Sequence, residues 1–411
     1  MKKAFRPSCC FFLLLGLALP LTSHAFLQWQ NEDTAVEIRG FARAVGVLAN
    51  NANDDVLYEK DEILGAGVFG RLMLDAQWTA LSAEIHLVQN YLGDELRTGG
   101  SRFASFIDIE RSDGLQWRYS DGNADLVVDR LNVQYQQENL RLKLGRQPIN
   151  LAATFYFTPN DFFAPFAAQT FFRTYKPGVD AARLDWQWSD ASQLSLISVL
   201  GYPLDIEQPT GRKTSPDWSE TAYVARASTL LDTFQWAALA GKIDGDDIVG
   251  FDVQGELFEW LGVRAEGHLR FADEDDIDRD AKLAIAFDHR WPNTFTARVE
   301  HLYQRSGAND RDDYSLSQLT NPNSFYLARN YTALGGSYEF TPLLLGDAVW
   351  LYNHQDSSSL LALYSTYSLS DESELSVGLN IPMGKQPDNG QLKTEFGSFP
   401  LSLTMEYRIY F

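Results

Sequence analysis

The chain has 411 residues, and its 55 acidic residues outnumber its 34 lysines and arginines, which gives a net charge of −21 at pH 7. This negative charge repels phosphate, so nucleic acid is excluded as a partner. Hydrophobic residues make up 45% of the chain and aromatic residues 13%. These fractions are too high for a disordered acidic chain, so we expect a folded protein with a large apolar surface.

Residues 1–25 have the three parts of a secretory signal peptide. A positively charged start, MKKAFR, precedes an apolar run over residues 9–19, and Ser23-His24-Ala25 has small residues at both positions that a signal peptidase reads. We expect cleavage after Ala25 and a mature domain of residues 26–411. The alternative, a membrane anchor, is disfavoured because the apolar run is short for a bilayer span.

Both cysteines, Cys9 and Cys10, lie within this predicted signal peptide. The mature domain therefore has no thiol for a disulfide, a thiolate metal site or a covalently attached haem. We predict no cofactor and no metal site. An exported chain whose apolar residues come in short runs is either a soluble β-protein or a barrel in an outer membrane.

Runs of about ten residues that alternate between apolar and polar recur along the mature domain, whereas helical periodicity is nearly absent. The clearest runs are 36–46, 68–78, 81–89, 127–136, 249–260, 262–271, 295–303 and 401–411. With the weaker candidates included, the pattern predicts about eighteen strands, with sixteen as the alternative. Each is near the length that crosses a bilayer at a tilt.

The connections between these runs alternate in length. Long connections are predicted at 50–64, 92–124 and 148–179, and tight turns lie between them at 79–80 and 137–139. The alternation continues to the C-terminal run. Outer-membrane barrels sort their connections in this way, with short periplasmic turns and long outer loops. We therefore predict an all-β fold, a transmembrane antiparallel β-barrel with both termini in the periplasm.

Charged residues fall on one face of most predicted strands, and we expect that face to line the lumen because a charge facing lipid costs about 2–4 kcal/mol. The interpretation is a wet channel whose selectivity these side chains set. The alternative is a sealed lumen braced by arginine–carboxylate pairs. The candidate lumen residues are Arg39, Arg43, Arg71, Glu84, Arg130, Arg141, Lys143, Arg183, Asp185, Arg264, Glu266, Arg270, Arg298, Glu300 and Arg408.

The third long connection, 148–179, is unusually aromatic for an exposed loop. We predict that it folds into the lumen and narrows the channel, because an exposed loop of this composition is an aggregation or binding surface. Contact with a partner protein or lipid, and a plain structural cap, are the alternatives. The residues expected to form the constriction are Phe157, Asp161, Phe162, Phe163, Phe166, Phe171, Phe172 and Arg173.

The histidines are few and scattered. His86 and His268 are predicted to face the lumen, His289 and His301 fall on apolar faces near strand ends, and His354 lies at a loop. None has metal-ligand spacing to another or a recognisable nucleophile beside it. We therefore predict that the protein is not an enzyme.

Three segments resemble those of known bacterial outer-membrane barrels. The final run, with Tyr407, Ile409 and Phe411 on its apolar face, resembles the C-terminal signal that the barrel assembly machinery reads. LRLKLGRQPI (140–149) followed by TPNDFFAPF (158–166) resembles porin-like barrels related to the alginate-export group. The resemblance implies a barrel whose third outer loop constricts the pore.

Passive diffusion of small polar or anionic solutes through an outer-membrane channel is the leading functional hypothesis. A barrel that sheathes a partner such as a multihaem cytochrome, and a polysaccharide exporter, are the alternatives. The expected partners are outer-membrane lipid, lipopolysaccharide and the barrel assembly machinery. Further copies of the chain, or a periplasmic or extracellular protein, remain open as partners.

Overall fold

The computed structural model describes residues 27–54, 57–58, 60–98, 117–170, 174–203, 205, 213–271, 280–314 and 325–411. The predicted signal peptide lies outside these residues. Within them, no helix is long and apolar enough to cross a membrane.

The regular structure of the described chain is mostly β-strand, with one short α-helix, α1 (Asp94–Thr98), and three single-turn 3₁₀ helices. The strands of the first half are β1 (Leu27–Gln30), β2 (Thr34–Asn50), β3 (Glu62–Trp78), β4 (Leu81–Leu92), β5 (Arg118–Asp121), β6 (Ala124–Gln137), β7 (Leu140–Gln147), β8 (Val179–Ser189), β9 (Ser192–Val199) and β10 (Ala222–Leu231). Those of the second half are β11 (Phe234–Ile243), β12 (Asp246–Leu257), β13 (Leu261–Phe271), β14 (Asp280–Arg290), β15 (Thr296–Gln304), β16 (Asn330–Thr341), β17 (Leu344–Asn353), β18 (Ser359–Ser370), β19 (Ser373–Met383) and β20 (Leu401–Tyr410).

Eighteen of these strands form one closed antiparallel barrel, which confirms the predicted fold class and strand number. Each strand pairs with the next barrel strand along the chain, and β20 returns to pair with β2. The two remaining strands are short additions. β1 pairs with the start of β2, and β5 pairs with the start of β6.

The connections alternate as the sequence indicates. Those at one end of the barrel are turns of two to five residues, from 79–80 to 371–372, whereas those at the other end include loop 3 (148–178), loop 7 (305–329) and loop 9 (384–400). One connection at the long-loop end is itself tight. Asp244 and Gly245 have φ of 51° and 86°, the backbone of a two-residue hairpin turn that favours Asp-Gly.

A β-bulge in β6 turns two consecutive side chains to the inside of the barrel. His86 and Leu87 of β4 pair with Arg130 and Val128, so the pairing skips Asp129. Asp129 and Arg130 are both buried. Strict alternation would have pointed Asp129 outward, and a bulge is the usual way in which a strand re-aims one residue.

The inner wall near the long-loop end is apolar rather than charged. Three clusters of buried hydrophobic side chains lie there, one of them formed by residues such as Val47 and Ile63 beneath α1. Loops 3, 7 and 9 contribute Phe157, Leu327 and Phe396 to the buried interior. The strands are thus apolar on both faces at this end, because one face is exposed on the outer wall and the other is covered by the protein's own loops.

The barrel closes where β20 meets β2. Phe411 continues this pairing, because its N–H donates to the carbonyl of Gly40 at 2.9 Å and its carbonyl accepts from the N–H of Gly40 at 2.7 Å. A Cβ on Gly40 would lie 2.7 Å from the Phe411 ring and closer still to the Arg71 carbonyl oxygen. Only glycine fits this position. The role of Tyr407, Ile409 and Phe411 as an assembly signal stays a prediction.

Replacing Gly40 with valine should weaken the closure, because the added side chain forces Phe411 or β3 to shift at a cost of about 1–3 kcal/mol. We expect a smaller folded fraction, measured as the fast-migrating band of unheated protein on denaturing gels. Gly46→Val is the matched control, since a Cβ on Gly46 meets no atom within 4 Å. Equal folded fractions for the two variants would contradict this role of the closure.

Candidate functional site: the inner wall and loop 3

All fifteen candidate lumen residues lie on the inner face of the barrel. Outward neighbours such as Val249 and Leu269 are exposed, whereas Asp252 and Glu266, which alternate with them, are buried. The strand period of two places every second residue on one face, so the inner face of the barrel collects the charges.

Ten of the eleven candidate cations have a carboxylate within 4.0 Å. Arg71 and Asp129 are 2.8 Å apart and Lys143 and Glu84 are 2.9 Å apart. Arg141 and Arg183 share Asp185. This is the geometry of a wall braced by ion pairs, in which most of the positive charge is compensated locally.

Arg298 is the exception among the eleven, since no described carboxylate lies within 4.0 Å of its guanidinium and its buried Nε has no hydrogen-bond partner. It lies 5.1 Å from the ring centroid of Phe155, and Arg264 lies 4.2 Å from the same ring. Arg264 has one long ion pair, 3.8 Å to Asp288. Loop 3 thus gathers two guanidinium groups at a single aromatic ring.

Two buried carboxylates of the inner wall bind the backbone of loop 3. Glu300 accepts from the N–H groups of Phe155 at 2.9 Å and Phe157 at 2.5 Å, and also from Tyr156 between them. Glu266 accepts from the N–H groups of Ala153, Thr154 and Asn160, the last at 3.0 Å. Six backbone donors therefore converge on two carboxylates. Sequence reasoning assigned these two acids to solute selectivity, whereas their oxygens are occupied by loop 3.

The other end of loop 3 is fixed to the opposite part of the wall. The N–H of Gly178 donates to Asp129 at 2.9 Å, and the same carboxylate binds Arg71 at 2.8 Å and Arg130 at 2.6 Å. The guanidinium of Arg71 also lies over the Tyr175 ring, 4.4 Å from its centroid. Loop 3 is therefore held at both ends by wall carboxylates, and β8 begins directly after it, at Val179.

The aromatic residues of loop 3 pack against different partners and do not form one continuous surface. Phe157 is buried against Tyr326 of loop 7, with ring centroids 5.4 Å apart. Phe162 packs on His268 at 4.9 Å, with Phe163 beside it. Asp161 is buried and paired with Lys176. Of the remaining predicted constriction residues, Phe166 lines a cavity, and Phe171, Phe172 and Arg173 lie outside the described residues.

That cavity, about 120 Å³ in volume, lies between loop 3, loop 7 and the inner wall. Aromatic rings such as Phe162 and Phe325 line it together with three basic groups, His268, Arg270 and Lys282. Lys282 makes no hydrogen bond or ion pair to the described residues, and Asp280 and Arg270 are charged neighbours. Sequence reasoning missed Lys282, although its alternation with Leu283 on β14 was a usable signal.

Glu395 of loop 9 joins three loops at the same end of the barrel. Its carboxylate accepts from the N–H of Leu327 at 3.0 Å, from the side-chain amide of Asn353 at 2.7 Å and from the Tyr331 hydroxyl. Its own N–H donates at 2.7 Å to Asp356, in the connection between β17 and β18. Burial raises the pKa of the Glu395 carboxyl to about 8. Within the described residues, no group of three or more histidines and acids could hold a metal ion.

Comparison with known proteins was made at the level of sequence and of structure. No family model matches the sequence, and no curated protein matches it. Solved structures do match. OccAB1 of Acinetobacter baumannii has a TM-score of 0.59 at 9% identity, covering 92% of this chain and 96% of that one. OccK9 of Pseudomonas aeruginosa has a TM-score of 0.60 at 10% identity, covering 91% and 98%.

A BenF-like porin from Pseudomonas fluorescens Pf-5 gives a TM-score of 0.59 at 11% identity, covering 92% of this chain and 99% of that one. The chain has the fold of an outer-membrane porin. Identities this low establish the fold alone, and they confirm the porin-like barrel that the sequence predicts. This barrel fold is consistent with the predicted location in the bacterial outer membrane.

Replacing Glu300 with glutamine should release the tip of loop 3. A glutamine side chain has one acceptor oxygen and turns an N–H₂ group toward three backbone donors, so at least one buried donor loses its partner at about 1–3 kcal/mol. We expect the amides of residues 155–157 to exchange hydrogen about tenfold faster or more, measured by mass spectrometry of peptides. Glu84→Gln is the control, because Glu84 binds the side chains of Lys143 and Asn132. Unchanged exchange in Glu300→Gln would refute the anchoring role.

The raised pKa of Glu395 predicts a pH dependence of stability. The folded state holds this proton more tightly than the unfolded state, so the contribution to stability is complete below about pH 4.5 and is lost as the pH rises to about 8. We expect the midpoint of thermal unfolding to fall over this range in the wild type and less steeply in Glu395→Gln. Glu32→Gln, at an exposed position, should follow the wild type. Parallel pH profiles for all three proteins would show that Glu395 does not titrate in this range.

Proposed function

We propose that this chain is an outer-membrane channel for passive diffusion of small polar or anionic solutes. The observation that carries the proposal is the capture of loop 3 by Glu266 and Glu300, which holds an aromatic segment against the inner wall of a closed barrel. A segment fixed in this way narrows the lumen while the polar wall around it stays wet.

The constriction in this proposal is the part of loop 3 around Phe155, where Arg264 and Arg298 face the lumen. Arg298 has no described carboxylate within 4.0 Å and Arg264 only a long pair of 3.8 Å, so these two guanidinium groups are the least compensated cations at the ring. Lys282, which has no ion pair among the described residues, adds a second positive point on the other side of loop 3. A small anion is attracted by the two guanidinium groups and by Lys282 in turn as it crosses the constriction. This arrangement supports a preference for negative solutes.

The alternatives fit the same observations less well. A sheath needs a wide lumen for its partner, whereas loops 3, 7 and 9 pack against the inner wall here. A polysaccharide exporter for a polyanion needs a continuous row of available cations, and ten of the eleven candidates are paired. The porin fold also supports a passive channel rather than an enzyme. We propose that the long loops face the outside and that both termini face the periplasm.

Single-channel recording in planar bilayers tests the proposal. We expect ohmic openings from the wild type, and larger openings after deletion of residues 150–176. Arg298→Gln should lower the ratio of anion to cation permeability on the order of twofold to fivefold, because an uncompensated charge beside the constriction is lost. Arg290→Gln is the control, because Arg290 is 61% exposed and paired with Glu339 near the short-turn end.

Two outcomes would contradict the channel. Conductance that appears only after the deletion would indicate a plugged barrel, and absence of conductance in both proteins would favour the sheath. An unchanged permeability ratio in Arg298→Gln would remove this residue from the selectivity argument and leave the channel itself in place.

A further inference from the structure

Two histidines and a threonine form a hydrogen-bonded cluster on the outer wall of the barrel. His301 Nδ1 and the Thr332 hydroxyl of β16 are 3.0 Å apart, and the same hydroxyl is 2.8 Å from Nε2 of His354, which follows β17. The two imidazole rings are 5.5 Å apart. Both histidines are exposed and Thr332 is half-buried. We call this group the outer histidine cluster.

The cluster interrupts an apolar surface. His301 pairs in register with Ile285 of β14, which is exposed, and β18 on the other side presents Leu361 and Leu363. The cluster lies within a few residues of the long-loop ends of β15, β16 and β17. An aromatic ring, Tyr352, packs edge-on against His354 at 5.0 Å, as is typical where a barrel wall meets lipid headgroups.

The hydrogen bonds of the cluster suit an anion. A hydroxyl oxygen can accept from two protonated imidazoles, and its own hydrogen then points away from both. The hydroxyl hydrogen is then the donor that an external acceptor can meet, while the His301 ring also bonds the Asn330 side chain. Two imidazolium groups at this separation repel each other, and a negative group bound to both relieves that repulsion. Anion binding and proton uptake are therefore coupled at this cluster.

The charged and titratable groups around the cluster favour the same ligand. Arg305 is exposed at the next outward-facing position after Tyr303, so it adds positive charge on the same side. The neighbouring carboxylate, Asp356, is occupied on the inside by the N–H of Glu395 and the Tyr314 hydroxyl. No described carboxylate competes with an external anion for the two histidines.

We propose that the outer histidine cluster binds the phosphate group of a lipid in the outer leaflet, with a phosphorylated lipid A headgroup as the ligand. A phosphate on a lipid is held at the height of the strand ends, whereas its acyl chains lie along the leucines beside the cluster. The proposal rests on the proposed orientation, in which the long loops face outside, and it is independent of solute transport. It predicts tighter binding at low pH, because protonation of a histidine adds positive charge beside the phosphate.

Native mass spectrometry of the purified barrel with added bisphosphorylated lipid A tests the proposal, at about pH 6 and about pH 8. We expect the wild type to retain about tenfold more of this lipid at the lower pH. The double variant His301→Gln, His354→Gln should retain little at either pH. The matched control is His289→Gln, an outward histidine at the short-turn end whose Nδ1 lies 2.7 Å from the Trp260 carbonyl oxygen.

Several results would overturn the proposal. Equal retention of a dephosphorylated lipid with the same acyl chains would show that the chains alone are bound. Loss of retention on addition of EDTA would show a bridging metal, and competition by millimolar inorganic phosphate without any lipid retention would show a site for free phosphate. A change of oligomeric state in the double variant, with lipid retention unchanged, would assign the cluster to contact between copies. The fast-migrating band of unheated protein on denaturing gels confirms that each variant is folded.

Discussion

The hydrogen bonds from six backbone N–H groups to Glu266 and Glu300 determine where loop 3 lies inside this barrel. A loop segment placed against the inner wall has peptide donors that no strand can pair, and unpaired buried donors are costly. Two wall carboxylates provide the acceptors, and the loop in turn provides the hydrogen bonds that buried carboxylates require. Neither partner is stable in that position without the other, so the position of loop 3 and the burial of these two acids are one feature.

Asp129 provides the acceptor for a buried backbone N–H at the other end of loop 3. Its carboxylate is buried between two guanidinium groups and the N–H of Gly178, and it reaches that position only because a bulge turns it inward beside Arg130. Because three wall carboxylates are committed to holding loop 3, and most others to bracing arginines, little free charge is left on the wall. In the proposed channel, selectivity depends on the few groups with no close carboxylate among the described residues, Arg298 and Lys282, rather than on the number of charged residues.

The barrel could be predicted from the sequence because two of its rules are local. Alternation of apolar and polar residues follows from the strand period of two, and the lengths of successive connections follow from which end of the barrel they join. The inner face of each strand was predictable for the same reason. The groups that each inward side chain contacts were not predictable. Whether Glu300 faces water, an arginine or a loop depends on contacts between residues about 145 positions apart. Asp129 was missed because a bulge breaks the alternation, and the apolar inner wall at the long-loop end was missed because its loops cover it.

Some inward side chains lower the stability of the fold rather than raise it. A lysine on the inner wall with no ion pair among the described residues costs free energy, and so does an arginine whose buried Nε has no hydrogen-bond partner there. A carboxylate of the chain offsets such a cost at Arg226, whose Nε and Nη2 both donate to Asp252. We propose that a mobile anion in the lumen supplies the missing negative charge to these groups instead.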